Sequence, residues 1–129
     1  MSLSTRPLIL VCDNEPVLRA LVFATLDRDD YELVEARDGD EALELARAAK
    51  RPDLILLDMM MPGKTGLEVL AELREDAAHA ETPVVMLTAR TQATDRDAAA
   101  AAGATAFLPK PFSPAELERL VGELLTSRG

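Results

Sequence analysis

Four polar residues stand at or just after the ends of short apolar runs, and together they could transfer a phosphoryl group to a carboxylate. In chain order they are Asp13, Asp58, Thr88 and Lys110. The carboxylate of Asp58 could attack phosphorus, while an ammonium and a hydroxyl could bind the phosphoryl oxygens. A hard divalent cation would take oxygen ligands from Asp13, the amide of Asn14, Asp58 and a backbone carbonyl.

Each of these residues also has an ordinary structural explanation. An aspartate after a strand most often closes a turn or caps a helix, and residues 13–15 could simply cap a helix that begins near Pro16. Thr88 could cap the next segment, and Lys110 could be a solvated loop cation. The joint occurrence of four such residues at strand ends favours the chemical interpretation.

The apolar runs that precede these residues are typical of parallel strands buried on both faces. They cover residues 8–12, 54–57, 84–87 and 104–108, and a mixed run at 32–36 is typical of a strand near a sheet edge. Helical patterns lie between and after them, following residue 15, over 38–50, after 65, over 94–102 and after 113. Thr65 and Glu68 have the spacing of a capping box, as do Ser113 and Glu116.

Five alternating strand and helix units predict an α/β fold with a parallel sheet and right-handed crossovers. Five strands are too few for a closed (β/α)8 barrel. We therefore expect a flavodoxin-like, doubly wound (βα)5 fold with a five-stranded parallel sheet of order 2-1-3-4-5. Residues 1–129 are interpreted as one domain with its core at about 8–125. In this order the ends of strands 1, 3, 4 and 5 converge, which would bring the four polar residues together.

The composition limits the possible partners and the compartment. A net charge of −9 over 129 residues argues against binding to nucleic acid or to an anionic membrane surface. A single cysteine, Cys12, excludes an internal disulfide and fits a reducing compartment. No apolar run approaches the length of a spanning helix and the first six residues lack a signal-peptide pattern, so we expect a cytoplasmic location. The chain could equally be one domain of a longer protein.

Over about residues 8–125 the chain resembles the receiver domain of two-component response regulators, including the chemotaxis regulators. The segments that carry the resemblance are VCDNEP at 11–16, ARDGDEAL at 36–43, DMMMPGKTG at 58–66, LTA at 87–89 and FLPKPF at 107–112. No glycine-rich nucleotide-binding motif occurs.

The resemblance implies a set of roles at the strand ends. Asp58 would accept a phosphoryl group from a sensor histidine kinase, a phosphotransfer protein or a small phosphodonor. Asp13, Asn14, Asp58 and the backbone carbonyl of Met60 would hold Mg²⁺. Lys110 would pair with Asp58 or with the phosphoryl group, and the peptide bond from Lys110 to the following proline would be cis.

The resemblance further implies a switch. Thr88 would be the switch hydroxyl and Phe107 the switch aromatic, which rotates as Thr88 moves. Met60, Ala89 and Arg90 would flank the phosphoryl group. The output would come from the face formed by helix 4, strand 5 and helix 5, through a downstream output domain, an effector protein or a homodimer.

The sequence departs from the family pattern at the metal site. Asn14 replaces the second acid of the usual pair, so Asp13, Asn14, Asp58 and Lys110 sum to −1 where the usual site has −2. We therefore predict weaker Mg²⁺ affinity than in a site with two acids. Glu15 could supply a compensating charge, although its position before Pro16 favours the start of the first helix.

Two further departures concern the phosphorylated state. An apolar Met60 could impede the attacking water and Arg90 could pair with phosphoryl oxygens, which predicts a long-lived phosphorylated state. Phe107 lacks the hydroxyl of a tyrosine, so its rotation would depend on packing alone.

The leading interpretation is therefore a phosphorylatable switch that catalyses only its own phosphorylation and dephosphorylation. One alternative is a binding module of the same fold that is never phosphorylated, which Asn14 favours. A less favoured alternative is an aspartyl-nucleophile phosphatase, since such an enzyme would need a second acid where Met60 stands.

Overall fold

Strands and helices alternate along the chain as the hydrophobic pattern predicts. The computed structural model describes residues 6–26, 31–48, 51–89 and 93–128. The strands in this part are β1 Leu8–Cys12, β2 Glu32–Ala36, β3 Leu54–Asp58, β4 Val84–Thr88 and β5 Ala106–Pro109. The α-helices are α1 Pro16–Leu26, α2 Gly39–Ala46, α3 Gly66–Glu75, α4 Ala93–Ala102 and α5 Pro114–Arg128, with a short 3-10 helix at Ala77–His79. None of these helices is long and apolar enough to cross a bilayer.

The five strands form one parallel sheet in the order β2-β1-β3-β4-β5, which confirms the predicted fold. The register aligns the ends of the central strands, since Asp58 of β3 lies beside Leu87 of β4 and Thr88 lies beside Pro109 of β5. The carboxyl ends of these strands therefore form one edge of the sheet.

The core lies in two layers, one on each face of the sheet. On one face, Leu10, Ile55 and Met86 pack with residues of α2 and α3. On the other, Ile9 and Leu56 pack with residues of α1 and α5. Because β1, β3 and β4 are buried along their whole length, their sequences are continuous apolar runs instead of alternating ones.

Two boundaries differ from the sequence prediction. Helix α2 begins after its N-cap Asp38 and ends at Ala46, earlier than the predicted residue 50, although residues 49 and 50 lie outside the described part. Strand β5 begins at Ala106 because the preceding residues close α4: Gly103 has a φ of 102° and the amide of Ala104 still donates to the carbonyl of Ala99.

Both predicted capping boxes are confirmed. The amide of Glu68 donates to Thr65 Oγ1 at 3.2 Å, and Glu68 Oε1 accepts from the amide of Thr65 at 2.8 Å. The corresponding distances between Ser113 and Glu116 are 3.1 and 2.9 Å. These reciprocal bonds fix the first turns of α3 and α5.

His79 has a structural position that the local sequence pattern does not reveal. Its side chain is buried in the 3-10 helix, with Nδ1 2.9 Å from Thr82 Oγ1 and Nε2 2.7 Å from the carbonyl oxygen of Ala46. His79 therefore joins the end of α2 to the chain that enters β4.

Candidate functional site

The candidate site lies at the carboxyl edge of the sheet, where backbone hydrogen bonds fix its residues. Asp58 and Thr88 are the last residues of the buried strands β3 and β4. The amide of Asp13 donates to the carbonyl of Ala36 at 3.1 Å, and that of Lys110 donates to the carbonyl of Thr88 at 2.7 Å. These bonds extend the pairing of the sheet past the strand ends, so the backbone beneath the site is held rigidly.

The ammonium of Lys110 lies at the centre of a group of three carboxylates. Its Nζ is 2.9 Å from Asp13 Oδ2, 3.0 Å from Glu15 Oε1 and 3.5 Å from Asp58 Oδ1. Burial alone would lower the pKa of Lys110, but its hydrogen bonds with Asp13 and Glu15 outweigh that effect and raise the pKa above its ordinary value. The lysine therefore stays charged and links three segments of the chain.

Asp58 is a buried carboxylate with an unusual affinity for protons. Burial, together with the charge of Asp13, raises the pKa of Asp58 to about 6, although the amide of Met60 and the ammonium of Lys110 act in the opposite direction. The amide of Met60 donates to Oδ1 at 3.2 Å, and the ion pair with Lys110 also uses Oδ1. Both of these contacts use Oδ1, so Oδ2 is the carboxylate oxygen that they do not engage.

A cavity of about 590 Å³ opens above Asp58. Its polar lining consists of Asn14, Glu15, Asp58 and Lys110, and its apolar lining of Val17, Leu18, Leu21, Met60, Ala89 and Pro111. Val17 is 82% exposed and Met60 is 55% exposed, so the rim of the cavity is apolar and accessible. A small anion could enter from solvent and reach the carboxylate.

The structure extends the sequence interpretation of Glu15. Its backbone does begin α1, since its carbonyl accepts a hydrogen bond from the amide of Arg19. Its side chain, however, belongs to the site, because the carboxylate pairs with Lys110. The two residues lie 95 positions apart, and no local pattern in the sequence signals this contact.

The predicted phosphoryl-flanking residues fall into two groups. Met60 and Ala89 are exposed and line the cavity. Met60 stands between Met59 and Met61, which are both buried. Arg90 lies outside the described residues.

The predicted switch residues lie away from the cavity opening. Neither Thr88 nor Phe107 is among the described residues that line the cavity. Thr88 is buried at the end of β4, and the partly buried Phe107 packs against the core beneath α3 and α4. The guanidinium of Arg96 lies 5.8 Å from the centre of the Phe107 ring. The peptide bond between Lys110 and the following proline is cis, as predicted.

The site can hold a small, hard cation only if carboxylate and amide oxygens act together as ligands. Within the described residues, no group of three or more His, Cys, Asp or Glu side chains is arranged to hold a metal ion. Asp13 and Asp58 offer two carboxylates, and the exposed amide of Asn14 lies at the same cavity. Mg²⁺ binds through one or two carboxylates and retains several waters, so this donor set beside an open cavity fits it.

Comparisons with known sequences identify the family of the chain. Residues 9–122 match the response regulator receiver domain family. Over 117 residues the chain is 44% identical to the transcriptional regulatory protein ResD of Bacillus subtilis and 41% identical to the transcriptional regulatory protein SrrA of Staphylococcus aureus. Each match covers 91% of this chain but 47% of the relative, so the chain spans about half the length of these proteins.

Solved structures show the same architecture. The chemotaxis response regulator CheY4 of Vibrio cholerae superposes with a TM-score of 0.87 at 35% identity, over 93% of this chain and 99% of that one. The phosphorylated cyanobacterial phytochrome response regulator RcpA superposes with a TM-score of 0.84 at 28% identity, over 97% of each chain. The sheet order and the helix arrangement are thus those of these regulators.

Proposed function

The chain belongs to the response regulator receiver domain family of two-component systems, and on that premise we propose that Asp58 is the phosphoacceptor of a signalling switch. The observation that carries this proposal is the buried Asp58 carboxylate at a solvent-open cavity, with the Lys110 ammonium 3.5 Å from its Oδ1. A rigid nucleophile beside a fixed positive charge is the arrangement that phosphoryl transfer requires.

In the proposed reaction, Oδ2 of Asp58 attacks the phosphorus of the donor and forms a new O–P bond. The bond between phosphorus and the histidine nitrogen of the donor breaks, and that nitrogen keeps the electron pair. Lys110 binds a phosphoryl oxygen and neutralises part of its charge, and the buried Thr88 supplies a hydroxyl after a local rearrangement. Attack of water on the same phosphorus would later release inorganic phosphate and restore the carboxylate.

Mg²⁺ is the proposed cofactor, held by Asp13, Asn14, Asp58 and the backbone carbonyl of Met60. When bound, it would neutralise charge on the phosphoryl oxygens and help to orient the donor. The Oδ2 of Asp13 accepts a hydrogen bond from Lys110, so the lysine must shift or share this oxygen when the cation binds.

The rim of the cavity supports a protein as phosphodonor. The exposed side chains of Val17, Leu21 and Met60 form an apolar border around the charged centre. Accessible apolar groups beside a polar site are typical of protein docking surfaces. We propose that a sensor histidine kinase or a phosphotransfer protein docks here in the cytoplasm.

The proposed output is a change on the face of α4, β5 and α5, transmitted by Thr88 and Phe107. The relatives ResD and SrrA are named as transcriptional regulators, and this chain spans about half of their length. We therefore propose that the switch acts on an output domain or an effector protein, with a homodimer through the same face as one form of that output.

The test is the intact mass of the protein after incubation with acetyl phosphate and Mg²⁺. We expect one phosphoryl adduct, which disappears in Asp58→Asn and after addition of EDTA. An adduct that persists in Asp58→Asn would refute the assignment of the phosphoacceptor.

If no adduct forms, a titration with beryllofluoride and Mg²⁺ decides between the two main interpretations. Binding would show that the site functions but requires its own kinase, whereas no binding would favour a module that acts without phosphorylation. Steady hydrolysis of an aryl phosphate would instead indicate a phosphatase.

A further inference from the structure

We propose that Glu15 is a positioning residue that supplies the negative charge missing at Asn14 and holds the Lys110 ammonium when a cation takes Asp13. This inference rests on the proposed function, because it concerns the same metal site. It assigns to Glu15 a task beyond the start of α1.

The first support is the shared ammonium. Lys110 Nζ lies 2.9 Å from Asp13 Oδ2 and 3.0 Å from Glu15 Oε1, so the two acids contact it equally closely. Their environments differ sharply, since the side chain of Asp13 is fully buried and that of Glu15 is 60% exposed. An exposed ion pair adds little to folding stability, so the contact of Glu15 is not explained by stability alone.

The second support is the hydrogen bonding of Asp13. Its Oδ1 accepts a hydrogen bond from the amide of Glu15 at 2.8 Å, and its Oδ2 accepts one from Lys110. Both oxygens are therefore engaged, so a cation that binds Oδ2 either displaces the ammonium or shares this oxygen with it. Glu15 keeps Asp13 in place through its amide and offers the withdrawing ammonium a carboxylate that it already contacts.

The third support is the formal charge. Asn14 is neutral and exposed, so Asp13, Asp58 and Lys110 alone would present a net charge of −1 to a cation. Glu15 brings the number of carboxylates to three against one ammonium and the net charge to −2. The site thereby recovers the charge that the substitution at position 14 removes, through a side chain from the neighbouring position.

The experiment titrates Mg²⁺ alone into the complete protein and follows binding by calorimetry and by the amide NMR signals of Asp58 and Met60. We expect Glu15→Gln to raise the Kd for Mg²⁺ by about three- to tenfold at low salt, since one carboxylate charge near a divalent ion is lost. The matched control is Glu44→Gln, because Glu44 is exposed on α2 and does not line the cavity. It removes the same charge from the protein and is expected to leave the Kd unchanged.

A rescue separates charge at the site from a merely structural role. The double variant Glu15→Gln, Asn14→Asp restores one carboxylate, and its Kd is expected to return to the wild-type value. Equal Kd values for the wild type and Glu15→Gln, or a loss that Asn14→Asp does not reverse, would overturn the inference. If the wild type itself does not bind Mg²⁺, the proposed metal site fails instead, so the two failures are distinguishable.

Discussion

The ammonium of Lys110 lies 2.9 Å from Oδ2 of Asp13, although 97 positions separate the two residues in the sequence. The side chain of Asp13 is fully buried and that of Lys110 is 14% exposed. A buried carboxylate that loses its partner is costly, so this pair supports the metal-free fold and also blocks one oxygen that a cation would use. Lys110 is therefore expected to stabilise the metal-free fold and to weaken metal binding.

Replacement of Lys110 by methionine tests this opposition. In EDTA at pH 7, Lys110→Met is expected to lower the free energy of unfolding by about 2–4 kcal/mol, because Asp13 is left buried without a cation. Mg²⁺ is expected to restore much of this loss and to bind more tightly than to the wild type. Urea unfolding with EDTA and with Mg²⁺ measures both effects.

The matched control for that variant is Lys64→Met. Lys64 pairs with Glu72 at the surface, and its removal is expected to change the unfolding curve little in either buffer. A Lys110→Met protein as stable as the wild type in EDTA would show that Asp13 does not depend on the lysine.

Asp58 should make stability depend on pH in a defined direction. Its pKa is about 6 in the folded protein, above the ordinary 3.8, so between these values the folded state holds a proton that the unfolded state has released. Protonated Asp58 therefore favours the folded state at low pH, and this contribution to the free energy of unfolding is lost as the pH rises towards 6. Asp58→Asn removes the cost of keeping an ionised carboxylate buried. It should therefore raise the free energy of unfolding at pH 7 by about 2 kcal/mol in EDTA, after allowance for solvent screening.

Urea unfolding of Asp58→Asn and the wild type across pH 4 to 7.5 measures this effect. The advantage of the variant should shrink steadily on acidification, because the wild-type carboxylate becomes protonated and neutral like the amide. An advantage that is constant across the range would show that the charge of Asp58 is not its source.

The prediction of a long-lived phosphorylated state is based on Met60 and Arg90, and of these two the structure describes Met60. Its exposed apolar side chain lines the cavity above Asp58, where it can hinder the approach of water to phosphorus. Met60→Asn is expected to accelerate loss of the phosphoryl group by about three- to tenfold, since an amide can bind and orient water, which corresponds to roughly 1 kcal/mol in the barrier. Decay of the intact-mass adduct after removal of acetyl phosphate gives the rate.

Met60→Leu is the control for that variant, because it keeps an apolar side chain of similar volume. It should decay at the wild-type rate. Equal rates for all three proteins would assign the lifetime to another residue.

The sequence predicted the parts of this molecule that depend on local pattern and on chain topology. Continuous apolar runs marked the buried strands, and Thr65 with Glu68 marked the start of α3. The parallel sheet order then placed Asp13 and Asp58 on one edge, and that placement followed without knowledge of any side-chain contact.

The sequence did not predict contacts between side chains that are distant along the chain. Glu15 was assigned to a helix start from its position before Pro16, and only the folded chain shows its carboxylate at Lys110. His79 stands between alanines in a segment that acidic residues border, yet its ring is buried and reaches the carbonyl of Ala46, which lies 33 positions away. Such contacts depend on where complete elements pack, and the neighbouring sequence carries no signal of them.

Arg74 provides a final prediction at the edge of the sheet opposite the site. Its Nη1 donates to the carbonyls of His79 and Thr82, both at 2.7 Å, and its Nε donates to the carbonyl of Gly103 at 2.9 Å. One planar guanidinium thus links the end of α3 to the chain that enters β4 and to the turn before β5. Lysine has a single ammonium and cannot reproduce this fork.

Arg74→Lys is therefore expected to lower the free energy of unfolding by about 1–3 kcal/mol, since the partly buried carbonyls of His79 and Thr82 lose their donor. Amide hydrogen exchange should accelerate at residues 103–105, while acetyl phosphate should still modify Asp58 at the far edge. Arg37→Lys, at an exposed pair with Glu41, is the matched control and should have little effect. If the two variants were equally stable, the three carbonyl contacts of Arg74 would be incidental, and the turn before β5 would owe its position to Gly103 and the packing of α4 alone.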